Sequence, residues 1–148
     1  MFSRILAAVG GPDASFEPAR VAARLAASSG ARLALVSVFR SPSQVFGDPN
    51  YEDRLFPRLA EAEAALKQAR EIAKAEGVSD VEVDTLEGSP ADAIVAHAVA
   101  GDFDLIVMGT HRRGRFGVAL LGSVSNSVAA RAGRPVMVVP EPAASKAK

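Results

Sequence analysis

Cysteine is absent from the 148 residues, which removes disulfides, thiolate zinc or iron–sulfur ligation and thiol catalysis, and suits a reducing cytoplasm. Aromatic residues make up 5% and histidines number two, so little is available for imidazole chemistry. No apolar run approaches the roughly 18 residues that a membrane-spanning helix needs. Neither sign of charge is in excess: seventeen Lys and Arg balance seventeen Asp and Glu. No net field therefore draws the chain toward nucleic acid or an anionic membrane, and a charge-driven partner must meet a local patch. What remains is 49% apolar and 23% charged, the balance of an ordinary soluble domain with a real core. The opening Met-Phe-Ser-Arg and the stretch from Ile5 to Gly11 faintly resemble a signal peptide, but Asp13 and Glu17 follow too soon. This stretch is expected to be a first strand.

Apolar runs of strand length recur at Arg4–Val9, Ala31–Phe39, Val81–Leu86, Leu105–Met108 and Val136–Val139, and each of the first four precedes a helix-like segment. The first, fourth and fifth runs are apolar at nearly every position, as strands covered on both faces must be. An open parallel α/β sheet follows. Helix punctuation agrees: Ser15 with Pro18 in the first turn and Gly30 past the end, Ser89-Pro90 as N-cap and first residue with Gly101 as stop, and Gly133 after the last helix. The second helix, ending at Gly77, carries Leu55, Leu59, Ala62, Leu66, Ala69 and Ala73 at spacings of four and three, a single stripe for burial. Pro57 falls near its start. Residues 1–140 are expected to form one domain and 141–148 a loose tail.

Charge is unevenly spread along the chain. Residues 48–104 hold fourteen acidic and five basic side chains, whereas 105–148 hold seven basic and one acidic. Arg112, Arg113 and Arg115 sit together just after the fourth strand, where a phosphate would be drawn. In open α/β sheets, ligands bind beyond the carboxyl ends of the strands where the strand order reverses. The informative connection is Gly109 to Ser123, which leaves a buried strand and enters a helix. Its glycines permit close backbone approach, and the helix entrance presents unpaired N–H groups, so an anion can be cradled there.

Spacing excludes several familiar sites. A Walker loop needs Lys directly before the hydroxyl residue, and Gly122 stands there. The first strand is followed by Gly10-Gly11-Pro12-Asp13-Ala14-Ser15 rather than a dinucleotide-binding glycine pattern. A phospho-accepting receiver would need acidic residues near Gly10 and Leu86. His97 has no second ligand at helical spacing and is expected to be packed or half-exposed. The arginine cluster has only Phe116 beside it, too little for a nucleic-acid stacking surface. Glu61 with Glu63, and Asp102 with Asp104, are expected to be solvated charges.

Gly109, Gly122-Ser123 and the segments Ile5 to Val9, Glu87-Gly88-Ser89-Pro90, Asp104 to His111, Leu120 to Val124 and Arg134 to Val139 together resemble the universal stress protein family, whose motif Gly-x-x-Gly-x9-Gly-(Ser/Thr) falls at this strand-to-helix junction. The resemblance implies an adenine-nucleotide-binding α/β fold of the alpha-hydrolase-like type: a five-stranded parallel sheet of order 3-2-1-4-5, with helices on both faces. It implies a cytoplasmic stress-response protein, with ATP, ADP or AMP as ligand and Mg2+ as an accompanying ion. It further implies a homodimer joined along the last strand, Val136, Met137, Val138 and Val139.

Carried over by position, phosphate contacts fall on Gly109, Gly122, Ser123, Val124 and Ser125, and adenine and ribose contacts on Ala8, Val9 and Val38. Gly10, Met108, Thr110, His111 and Arg112 complete the candidate set. The sequence departs from the pattern twice. Arg112 replaces the second motif glycine, where it either pairs with phosphate or fills the pocket, and Gly10 replaces an Asp that many members place after the first strand. Neither a base poised beside a water nor a Mg2+ carboxylate in the phosphate loop is evident, so binding rather than fast catalysis is expected. Two functions stand: a nucleotide-responsive stress protein, or a dimeric scaffold that has lost its nucleotide.

Overall fold

The computed structural model describes residues 1–10, 15–42, 47–110, 112, 113, 119, 120 and 122–140. In chain order the elements are β1 (Arg4–Ala8), α1 (Glu17–Ser29), β2 (Arg32–Phe39), α2 (Tyr51–Ala75), β3 (Val81–Glu87), α3 (Pro90–Ala100), β4 (Leu105–Gly109), β5 (Arg112–Arg113), β6 (Ala119–Leu120), α4 (Ser123–Arg131) and β7 (Val136–Val139). Five of the strands form one sheet of order β3-β2-β1-β4-β7, parallel at every pairing. This is the expected 3-2-1-4-5 order. A two-residue antiparallel ribbon, β5 with β6, pairs Arg112 with Leu120 and Arg113 with Ala119 inside a connection for which no regular structure was expected.

Side chains alternate across the central strands, and the two sets meet different helices. Ile5, Ala7, Leu33, Leu35, Leu105 and Val107 pack with Ala19, Ala22, Ala23 and Ala26 of α1 and Leu66, Ala69 and Ala73 of α2. Leu6, Ala34, Val36, Ile106 and Met108 pack with Ile94 and Ala98 of α3 and Val128 of α4. Helices thus cover both faces, which is why β1 and β4 read as unbroken apolar runs. Alanine dominates the helix side of the first layer, so α1 lies close against the sheet.

Local signals mostly act as expected. Pro18 stands in the first turn of α1, the Ser15 hydroxyl accepts from the Glu17 N–H at 3.3 Å, and Gly30 ends the helix in the left-handed region at φ 73°. Two details differ. Ser89 precedes α3 in extended conformation, but its hydroxyl makes no capping bond. In α2 the helix runs from Tyr51 straight through Pro57, and the stripe is buried only from Ala62 onward, with Leu55 and Leu59 half-buried. The first turns of α2 have little core beneath them.

At the opposite end of the sheet from the candidate site, Asp104 is not simply solvated. Its carboxylate accepts the Ser3 N–H at 2.9 Å and the Arg4 N–H at 3.0 Å, fastening the start of β1 to the start of β4. These backbone donors hold its carboxyl below the usual aspartate range. His97 is half-buried and stacks on Phe103 at 5.8 Å between centroids, with the Arg4 guanidinium 4.6 Å from the same Phe ring. Histidine at 97 is a packing residue.

Candidate functional site

The sheet order reverses between β1 and β4: the chain leaves β1 toward β2 on one side and leaves β4 toward β7 on the other. Their following connections diverge and open a crevice at the carboxyl ends. A cleft of about 200 Å3 lies there, lined by Ala8, Val9, Gly10, Val38, Pro90, Ile94, Met108 and Val124. Its floor is the ends of β1, β2 and β4, and its walls come from the first turns of α3 and α4. Apolar side chains provide most of the lining, the setting for a flat ring rather than for a charged group.

Six of the expected contact residues, Ala8, Val9, Gly10, Val38, Met108 and Val124, therefore converge on one opening. Beside it, Gly109 and Thr110 are buried at the end of β4. Gly122 is the extended N-cap of α4, and the Ser125 hydroxyl donates to the Gly122 carbonyl at 3.0 Å. The first intrahelical bond of α4 runs from the Asn126 N–H to Gly122 O, so the N–H groups of Ser123, Val124 and Ser125 lie in the turn that has no helical acceptor. Ser123 is exposed and Ser125 buried, so of the two hydroxyls the first is free to meet a ligand. His111 lies outside the described residues, as do Asp13, Arg115 and the segment 141–148. Arg112 is placed by its backbone in the β5–β6 ribbon.

Pro90 and Ile94 were not among the expected contacts. The signal was present: Ser89-Pro90 announces a helix start, and position 94 is one turn further along the same face. A third residue, Ser37, was also missed, because it lies within an apolar strand and reads as a tolerated small side chain. Ser37 is 3% exposed and lies next to Gly10: a Cβ at position 10 would stand 2.6 Å from the Ser37 Oγ. Gly10 itself has φ +123°, a conformation that side chains with L chirality rarely adopt. A side chain at position 10 would be strained by this φ and would also require the Ser37 hydroxyl to turn away.

The chain is therefore a parallel open-sheet α/β protein with an apolar cleft at its switch point and the N-terminus of α4 beside it, the place where ligands bind in folds of this kind. A family model described as the universal stress protein family matches residues 1–140, and the chain belongs to that family. It is 38% identical over 139 residues to a universal stress protein of Thermus aquaticus, found in the 3' region of a QAH/OAS sulfhydrylase gene, covering 94% of this chain and 99% of that protein. Among solved structures, it is similar to a universal stress protein in complex with cAMP, with 28% identity, TM-score 0.72, and 93% and 97% of the two chains covered. A second, the universal stress protein from Archaeoglobus fulgidus in complex with dAMP, gives 26% identity and TM-score 0.68, again over 93% and 97%.

Proposed function

We propose that this chain binds ATP or a related adenine nucleotide, and that it acts in stress response by changing its partner contacts with nucleotide occupancy. The observation that carries this reading is the convergence of Ala8, Val9, Gly10, Val38, Met108 and Val124 on one cleft beside the free N-terminus of α4. At about 200 Å3 the cleft takes a base rather than a whole nucleotide. The phosphates then run outward to the N–H groups of Ser123, Val124 and Ser125, where the helix dipole favours negative charge. The complexes of two similar proteins, one with cAMP and one with dAMP, support an adenine nucleotide as the ligand class. Mg2+ would be held by the phosphates: among the described residues no cluster of three or more His, Asp or Glu is placed to hold a metal ion.

Millimolar MgATP should therefore raise the melting temperature. At about ten times Kd the folded state gains about 1.4 kcal/mol, roughly 3–6 °C for a chain of this size. GTP should give less, and Ser123→Ala should weaken ATP about five-fold through one lost hydrogen bond without unfolding the protein. Phosphate release should stay below about one per minute, far under ordinary turnover. Absence of any ATP shift in the parent favours the second reading, a nucleotide-free dimeric scaffold, whose motivation is the two departures from the family pattern, Gly10 and Arg112.

A further inference from the structure

Ser37, Thr110 and Ser125 are the polar residues buried in the described structure. Ser125 is satisfied by Gly122, and Thr110 has its own partner. Ser37 Oγ has no hydrogen-bond partner among the described residues, yet no fully sealed side-chain oxygen or nitrogen there lacks one. The Ser37 hydroxyl therefore faces an opening. That opening is a groove of about 530 Å3 beneath α2, which Ser37 lines with Arg40, Arg58 and Glu61. Val38 and Pro90 line both this groove and the apolar cleft, so the two meet across the end of β2. Gly10 borders the same junction, and its missing side chain is what leaves the hydroxyl uncovered.

We propose that Ser37 is a ligand-binding residue of this chain, with its hydroxyl hydrogen-bonding the nucleoside half of the nucleotide where cleft and groove join. This deepens the adenine-nucleotide reading and rests on it. The hydroxyl has no protein partner to give up, so a ligand bond there replaces only a contact with solvent in the groove. A hydroxyl both donates and accepts, so it can meet a ribose hydroxyl or a ring nitrogen. A bond to the nucleoside leaves the phosphate end untouched.

Calorimetry on the full chain with ATP, adenosine and tripolyphosphate separates these contributions. Ser37→Ala should weaken ATP and adenosine by the same factor, roughly 5- to 30-fold, and leave tripolyphosphate unchanged. The ligand-free melting temperature should stay the same or rise, because the hydroxyl has no partner to lose; a fall would show a structural bond and overturn the assignment. Equal adenosine affinity in parent and variant, or a loss shared by tripolyphosphate, overturns it alone. A parent that binds neither ATP nor adenosine overturns the reading of the cleft as well.

Discussion

At the scale of single residues, the sharpest constraints come from backbone groups rather than from charged side chains. Gly10 is fixed by its φ of +123°, so an Asp placed there would be strained whatever space the neighbouring Ser37 hydroxyl leaves it. Asp104 is fixed by the two N–H groups it accepts, and it was misjudged from the sequence because a carboxylate in a turn gives no hint of donors about 100 positions away. Its lowered pKa has a definite sign. The stability it contributes is complete above the ordinary aspartate value of 3.8 and is lost as pH falls through the lower folded value. Asp104→Asn should therefore destabilise by no more than about 1 kcal/mol at pH 7, since the bond from Ser3 is exposed, the one from Arg4 only part-buried, and both are weakened by solvent. The difference between parent and variant should shrink as pH falls below 3.8. Urea midpoints at pH 7 and near pH 3 check this, and an unchanged gap at acid pH would assign the effect to packing.

At the scale of elements, the five main strands and four helices were legible because each rests on a repeated signal. Both-face burial makes unbroken apolar strands, and helix ends carry Pro and Gly. The β5–β6 ribbon was not legible, since two residues on each side give no period to read. At the candidate site, glycine spacing and the strand-to-helix junction pointed to Gly109, Gly122 and Ser123, whereas Ala8, Val9 and Val38, which line the cleft, were suggested only by the family resemblance. Ser37 escaped because its role depends on what stands opposite it across the strands. Helix α2 shows the same limit. Its stripe has the right spacing from Leu55, but burial requires sheet beneath it, and β2 ends at Phe39 before reaching the first turns. Pro57 sits in this overhang, where it removes one helical hydrogen bond. Pro57→Ala should therefore slow amide exchange across residues 54–61 while moving the global urea midpoint by less than about 0.5 kcal/mol, because that end opens without the core. A global gain near the full helix-interior proline penalty of about 3 kcal/mol would show instead that the overhang unfolds with the rest.

At the scale of the whole molecule, the sheet leaves two edges, β3 and β7, and they differ in character. Strand β3 carries exposed Glu82 and Asp84 and is guarded by charge, as solitary edges are. Strand β7 is Val136-Met137-Val138-Val139, pairs only with β4 among the described residues, and has its first three side chains half-buried. An apolar edge with no gatekeeping charge invites a second strand. Two copies of β7 placed antiparallel about a twofold axis satisfy both edges with one contact, so we propose a homodimer of about 31 kDa, twice the 15.3 kDa chain. Such a dimer would hold two clefts in fixed relation, since β4, which ends at Met108 and Gly109 in the site, is the immediate neighbour of β7. Val138→Pro should weaken the pairing, because proline removes a ladder donor and stiffens the edge, whereas Glu63→Gln on the exposed face of α2 should not. Light scattering at tens of micromolar decides: a stable monomer of the parent defeats the proposal, and a dimer that persists unchanged in Val138→Pro moves the interface off β7.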